Sequence, residues 1–474
     1  MIDVKRIQRK ILDLAFDGKL TKSQSTDESV DNVLLQLKAK NLEEYNALYP
    51  QHWRVIKFSS FADIYTGDST SEQQKKEFSK RLDNSIEYIA TKDISMTGKV
   101  DYTNGMYIPN NGDGFKVAPA NSILLCIEGA NAGNKIAIID RNVCFVNKLC
   151  CFSPRIINNK FTYYYLQSNK FRSSFMDNIQ GIIGGVSIGK VRQLPVPIPP
   201  IQEQERIVTK IEELFAIVDR LAQDQIDVEK YKQLVRTKIL DYIFLGKLSL
   251  NFNNSSTVDD LLTIIDAQKS EMIKSGIVKN KKYSIKETEY PYICKNDWTF
   301  DKLGNIAFIT KLAGFEYTKY IANNLCKDGI PLFKGKNVQN GKVIYDFESY
   351  IPKKISDYLI RSKVQKKCLL TPYVGTIGNI GLHDKTGEFH LGSNVGKIEL
   401  FNSPIETYSE ELLMYYLQSS FGYKELCKHK KSTAQESISI DAIRDIVIPI
   451  IPIDEQKFLL EKIESMFALL DLLN

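Results

Sequence analysis

The stretch Gln202–Leu245, QEQERIVTKIEELFAIVDRLAQDQIDVEKYKQLVRTKILDYIFL, runs 44 residues without a proline or a glycine. Both residue types interrupt helices, so their absence over this length is a helix signal. Apolar side chains recur in a 4,3 pattern at Ile207, Ile211, Leu214, Val218, Leu221, Val228, Val235, Ile239 and Tyr242, with Gln225 and Lys232 on the same seam. Such a heptad predicts a long helix packed as a coiled coil, about 66 Å long if unbroken at ~1.5 Å per residue. Core helices of globular proteins rarely reach that length. Pro195, Pro197, Pro199 and Pro200 precede the stretch, and Gly246 follows it.

Parts of this stretch occur elsewhere in the chain. Lys10-Ile-Leu-Asp13 and Gly18-Lys-Leu20 return at an offset of 228 as Lys238-Ile-Leu-Asp241 and Gly246-Lys-Leu248, and Val30-Asp31 and Leu34 return as Val258-Asp259 and Leu262. At larger offsets Trp53 pairs with Trp298, Tyr107-Ile-Pro109 with Tyr350-Ile-Pro352, and Tyr164-Tyr-Leu-Gln-Ser168 with Tyr415-Tyr-Leu-Gln-Ser419. Pro197, Pro200, Glu203-Gln204, Ile211 and Phe215 then match Pro449, Pro452, Glu455-Gln456, Ile463 and Phe467 at an offset of 252. This collinear order is an internal duplication. Residues 4–17 match the second half of the long helix and 454–474 its first half, so the two termini together form a second, divided strut. Two equivalent struts would lie antiparallel under a pseudo-two-fold axis.

The expected fold is therefore α+β: two α/β-mixed domains joined by two long antiparallel coiled-coil helices. Residues 1–20 and 451–474 are the two parts of the split spacer, 198–247 the central spacer, 21–51 and 248–296 linkers, and 52–197 and 297–450 the two domains. Each domain mixes short β-rich runs (122–128, 135–140, 143–152; 341–345, 367–371, 395–400) with Gly/Asn turns and one helical stretch. The net charge of +6 is unevenly spread: residues 51–193 and 291–432 each carry +6, whereas the remaining segments carry 0, −1 and −5. A polyanion partner suits two basic blocks of this kind. No run of about 18 apolar residues is present, and the first ten residues carry charges where a signal peptide is apolar, so no membrane is expected and a cytoplasmic location is. The eight cysteines form no C-x-x-C pair and read as small buried hydrophobes.

The repeated entry into the helix, Leu194-Pro-Val-Pro-Ile-Pro-Pro-Ile-Gln-Glu-Gln204 and Ile446-Val-Ile-Pro-Ile-Ile-Pro-Ile-Asp-Glu-Gln456, resembles the DNA specificity subunit of type I restriction-modification enzymes. Essentially the whole chain takes part in this resemblance, and the spacer divided between the termini looks like that family's circular organisation. The resemblance implies two target-recognition domains, each reading one half of a bipartite double-stranded DNA site, with the spacers setting the gap. It also implies docking of methyltransferase subunits, two in number, on the helices, and of restriction/translocase subunits in the full complex. The surfaces expected for that docking are the helix positions Ile207, Ile211, Leu214, Val218, Leu221, Val228, Val235, Ile239, Ile463 and Phe467. S-adenosylmethionine, ATP and magnesium would belong to the partners, so no cofactor and no catalytic residue is expected on this chain.

A search for chemistry agrees with that expectation. An amino-methyltransferase needs an Asn/Asp-Pro-Pro-aromatic tetrapeptide; Thr371-Pro372-Tyr373 is the nearest fragment. A phosphate loop needs Ser or Thr after Gly-Lys, but Gly189-Lys190 is followed by Val191, and the other copy has Asp441-Ala442 there. His52, His383, His390 and His429 have no metal-ligand spacing and read as surface or turn residues. A free-standing DNA-modifying enzyme and a protein scaffold without DNA are the alternative functions.

Base reading needs amide, hydroxyl, Arg and Lys side chains on loops, and phosphate contacts need cations. The candidates in the first domain are Lys92, Asn131, Asn134, Lys135, Lys148 and Lys190. Those in the second are Lys334, Lys336, Asn337, Tyr373, Thr376, Asn379, Lys428, Lys430 and Lys431. Lys92 and Lys336 occupy equivalent turns, and loops 129–135 and 373–379 correspond by position.

Overall fold

A computed structural model of the chain describes residues 2–112, 114–179, 184–339, 341–402, 407–430 and 436–473. It divides into two compact units, residues 1–227 and 228–474. In unit 1 the helices include α1 (Val4–Phe16), α2 (Val30–Leu37), α3 (Asn159–Tyr165), α4 (Asn169–Met176), α5 (Ile188–Gln193) and the first part of α6 (Ile201–Phe244). Unit 2 holds the rest of α6, then α7 (Val258–Lys274), α8 (Glu410–Gln418), α9 (Ser420–Cys427), α10 (Ile440–Arg444) and α11 (Ile453–Asp471). Pro199 and Pro200 hold the chain extended up to the start of α6, and Gly246, at φ +71°, turns it beyond the end.

Each unit has the same sheet plan. In unit 1 the strands Ala62–Thr66, Leu149–Pro154, Ile123–Cys126 and Ile136–Ile138 lie side by side, all antiparallel. A second sheet orders Tyr107–Ile108, Ile86–Ile89, Val143–Phe145 and Val117–Ala118, with a parallel central pair. Unit 2 repeats both: Ala307–Lys311, Val395–Leu400, Cys368–Pro372 and Gly381–His383, extended by Lys342–Val343 and Val338–Gln339; and Tyr350–Ile351, Ile330–Phe333, Phe389–Leu391 and Lys363–Val364. A short ribbon ties the ends of each domain together, Arg54 opposite Ile198 and Thr299 opposite Ile450. The proline segments supply its second strand, on an edge where the missing N–H groups cost no ladder bond.

Within each unit part of α6 packs antiparallel to a terminal helix. In unit 1 the backbone N–H of Ile2 donates to Gln225 Oε1 at 2.8 Å and Gln8 Nε2 to Asp219 Oδ1 at 3.1 Å, while Thr21 Oγ1 reaches Glu203 at 2.9 Å. Ile11, Leu12, Ala15 and Phe16 share one core with Ile207, Val208, Ile211 and Val218. In unit 2 Arg236 bonds Asp471 and lies 4.8 Å from the Phe467 ring centroid, and Leu240, Ile243 and Phe244 join Leu459 and Ile463.

The predicted seam needs correction. Leu221, Val228, Val235 and Tyr242 are exposed, and Lys232 is buried. The buried set Gln204, Ile207 and Val208 recurs as Leu240, Ile243 and Phe244. Ile211, Val218 and Lys232 are buried and Gln225 and Ile239 half-buried, so this line of the seam keeps its seven-residue spacing, while the second line is displaced by one residue, to Phe215, Ala222, Arg236 and Ile243. The segments read as linkers are also packed. Val30, Val33 and Leu34 of α2 are buried, and Arg206 bonds Asp27 with both Nη atoms at 2.7 Å; Leu261 and Ile265 of α7 are buried in unit 2.

Candidate nucleic-acid interface

The repeated residues fasten helix to domain. Glu203 and Glu455 are buried at the start of α6 and α11, each accepting from a tryptophan, Trp53 Nε1 at 3.2 Å and Trp298 Nε1 at 2.9 Å. Gln204 Oε1 accepts the backbone N–H of Asn158, the residue that caps α3, and Gln456 Oε1 that of Ser409, which caps α8. Their amide nitrogens donate to Pro199 O and Ile451 O, so both ends of each buried amide are satisfied. Asp13 and Asp241 accept from the first residues of α4 and α9, Asn169 and Ser420. Arg192 donates to Ile64 O at 3.1 Å and Arg444 to Ile309 O at 2.7 Å. The Glu-Gln and Lys-Ile-Leu-Asp motifs are therefore structural keys, a role the sequence alone does not reveal because their partners lie more than 45 residues away in most cases.

On this frame the candidate segments meet. In unit 1 Gly129 N donates to Gly184 O at 2.8 Å and Val186 N to Ile127 O at 3.0 Å, placing loop 129–135 beside the segment leading to α5. Lys135 Nζ donates to Thr91 O at 2.8 Å, which brings in the turn of Lys92. In unit 2 Gly375 N donates to Glu436 O at 2.9 Å, Ile438 N to Tyr373 O at 2.9 Å, and Asn379 Nδ2 to Val338 O at 3.3 Å beside the turn of Lys336. Three segments distant in sequence thus form one edge, twice. Lys92, Asn131, Lys336 and Thr376 are exposed there. Lys190 is half-buried on α5, Lys148 lies 3.6 Å from Glu128, Lys428 lies 3.4 Å from Glu425, and Lys430 lies 2.6 Å from Glu436. Lys336 pairs with Glu348, and Lys311 Nζ sits 4.2 Å from the centroid of the half-buried Tyr373, whose phenol burial pushes above its ordinary pKa. Lys431 lies outside the described residues.

Several candidates have other duties. Asn337 is buried: its amide donates to Ile344 O and Asp346 O at 2.9 Å each and accepts from Lys334 N at 2.8 Å, which leaves nothing for a base edge. Asp93 holds the equivalent turn in unit 1 by accepting from Ala90 N at 2.8 Å. Asn134 Oδ1 is taken by Arg172 at 2.6 Å, and Lys334 Nζ by Ser349 at 2.8 Å. On the helices Ile207, Ile211, Val218 and Ile463 are buried in their own units and offer no surface to a partner; Leu214, Ile239 and Phe467 are half-buried, and Leu221, Val228 and Val235 are exposed. Arg172, which reaches the loop from α4, escaped the sequence reading, since nothing in a short helix marks one arginine as aimed at a loop 38 residues earlier.

The model of the family described as "Type I restriction modification DNA specificity domain" matches residues 50–230 and again 295–474, three quarters of the chain in two copies. The chain belongs to this specificity-domain family. It is 24% identical over 455 residues to the type I restriction enzyme MjaVIII specificity subunit of Methanocaldococcus jannaschii, covering 92% of this chain and 91% of that one. It is 22% identical to the EcoAI specificity subunit of Escherichia coli, covering 98% and 89%. A solved structure described as "Structural basis underlying complex assembly and conformational transition of the type I R-M system" superposes with a TM-score of 0.51 at 13% identity, covering 89% of this chain and 91% of that one, and so shares the fold.

Cys144, Cys151, Cys368, His383 and His390 of this family member are buried. Burial pushes the thiols of Cys144 and Cys368 up to about 12 and that of Cys151 to about 11, far from a nucleophile's range. His383 and His390, expected at the surface, are instead buried in strands of unit 2, and burial lowers the pKa of both. Among the described residues no group of three or more His, Cys, Asp or Glu could hold a metal ion, and no helix is long and apolar enough to cross a membrane.

Proposed function

We propose that the chain is the non-catalytic specificity subunit of a type I restriction-modification enzyme, each unit reading one half of a bipartite duplex. The observation that carries this reading is the repetition of one frame with dissimilar edges: the same three segments converge in both units, carrying Lys92, Asn131 and Lys190 in one and Lys336, Thr376 and Lys430 in the other. A shared frame with different polar side chains suits two domains that dock alike on the backbone and read different bases. Methyl transfer, translocation and cleavage, with S-adenosylmethionine, ATP and magnesium, fall to the partner subunits. The exposed apolar side chains of α6, Leu221, Val228, Tyr231, Leu234 and Val235, are the surface on which methyltransferase subunits would dock.

Co-expression with a methyltransferase of the same system, followed by mapping of methylated positions across a genome, tests the reading. The expected result is a split motif with a constant gap. Exchange of residues 52–197 for another such domain should alter one half of the motif and leave the gap unchanged. Methylation without a sequence motif would favour a scaffold, and methylation or cleavage by the chain alone would favour a self-contained enzyme.

A further inference from the structure

The two copies differ most between the start of their second helix and their tryptophan. The offset grows from 228 at Leu34 and Leu262 to 245 at Trp53 and Trp298, so unit 2 carries 17 additional residues there. They include Lys274, Lys279, Lys281, Lys282 and Lys286, with no acidic residue between 272 and 286. This strap is built against the turn Leu303–Ile306. Tyr283 N donates to Asn305 Oδ1 at 3.0 Å, and Asn305 Nδ2 returns a bond to Tyr283 O at 2.8 Å. Gly304 makes room for it, since a Cβ at that position would lie 2.7 Å from the Tyr283 ring. Unit 1 has Ser59 and Ser60 at the corresponding turn and no strap.

Between strap, turn and α10 lies a cavity of about 450 Å³ bordered by Lys269, Lys279, Lys281, Arg361 and Arg444. One carboxylate, Asp441, borders it, and that is bonded to Arg444 at 2.8 Å. Lys269 is 7% exposed, and its ammonium has one hydrogen bond, at 3.3 Å to the neutral Asn305. Burial pulls its pKa down, and the charges of Asp266 and Asp301 oppose that shift. Among the described residues no carboxylate stands within 4 Å of Lys269, Lys279, Lys281 or Arg361. Asp266 and Asp301 act on this ammonium only from beyond ion-pair distance, so a buried charge beside further cations favours an anion that completes it.

We propose that this cavity of unit 2 is a phosphate-binding site, set apart from the base-reading edge and absent from unit 1. Lys269 supplies the desolvated charge at its floor, Arg361 the planar fork suited to two phosphate oxygens, and Lys279 and Lys281 close it from the strap. Two sources offer that chemistry: a backbone phosphate of bound duplex, which rests on the proposed DNA reading, and a free polyphosphate, which does not.

The test uses the full chain and its methyltransferase complex, with Lys269→Met and Arg361→Gln as variants and the exposed unit 1 residue Lys40→Gln as control. Inorganic tripolyphosphate is titrated calorimetrically at constant ionic strength, and duplex affinity is measured across a salt series. A free-polyphosphate site predicts tripolyphosphate binding weakened at least about tenfold by either variant, with the duplex salt slope unchanged. A backbone site predicts that the salt slope falls by about 1 in Arg361→Gln while the recognised sequence stays the same. Neither variant departing from Lys40→Gln in either assay overturns the proposal. Lys269→Met keeps the apolar stem and removes a buried charge, so its melting temperature should not fall, and the surface substitution Arg361→Gln keeps the test open if it does. Loss of duplex binding by every protein, with tripolyphosphate binding intact, would count against the DNA reading alone.

Discussion

The two units hold their helices with the same carboxylate and different company. Glu203 of unit 1 accepts from Trp53, from Thr21 at 2.9 Å and from His52 at 2.8 Å; Glu455 of unit 2 accepts from Trp298, from Asn254 at 3.0 Å and from Lys295 at 3.0 Å. The lysine is 9% exposed, the histidine 35%. An imidazole has a neutral form near physiological pH, whereas an ammonium buried beside its counter-ion depends on that counter-ion. What the duplication preserved is the acceptor under the tryptophan; the charge balance around it diverged.

The largest effect should come from breaking that balance. Glu455→Ala leaves Lys295 with only the exposed Asp297 at 3.5 Å and the Trp298 N–H without its acceptor, and should destabilise unit 2 by about 3 kcal/mol, while Glu203→Ala should cost less, about 2 kcal/mol. Denaturant titrations followed by hydrogen exchange in each unit would measure both, and equal losses would show that the tryptophan bond, not the charge, dominates.

Next in size is the contrast between turn and reader. Asn337→Ala leaves the carbonyls of Ile344 and Asp346 and the Lys334 N–H without their buried partner and should cost unit 2 about 1–3 kcal/mol. Its neighbour Lys336 is exposed, so Lys336→Gln should leave stability within ~0.5 kcal/mol.

A smaller effect is expected from pH. His383 and His390, both in unit 2, have pKa values lowered by burial, so the unfolded chain binds more protons than the folded one as pH falls below about 6.5. Their contribution is fully retained above that pH and is lost as pH drops toward the lowered values. Unit 1 has only His52, which is partly exposed. Calorimetry between pH 7.5 and 5.5, values chosen to bracket the ordinary histidine range of about 6.5, should show unit 2 losing more. An equal shift in both units would refute the assignment.

The finest comparison concerns Lys92 and Lys336 in equivalent turns. Each Lys→Gln variant should lower the salt slope of duplex binding by about 1 with the recognised sequence unchanged. A change confined to one half-site would instead make that lysine a base reader.

The helix, the duplication, the strands and the basic blocks were legible in the chain because they are local or additive properties: periodicity, recurrence, alternation and charge. The run Val395–Leu400 appears as one strand with its expected ends, and Ile123–Cys126 and Cys368–Pro372 fall where the β-rich runs put them. One line of the expected seam holds, with Ile211, Val218 and Lys232 buried at heptad spacing; the other lies one residue away, because Leu221 beside Ala222 and Tyr242 beside Ile243 give the same apolar pattern in the sequence. Asn337 was misread for a related reason, since an amide in a Gly-Lys-Asn turn looks the same whether it faces solvent or caps its own backbone.

Recurrence and charge along the chain are enough to establish two copies of one frame with cations gathered in both. Which loops stand together, which lysines are already engaged, and how an inserted strap covers Lys269 follow from the packed fold, because each depends on sheet crossings that bring distant residues within hydrogen-bond reach.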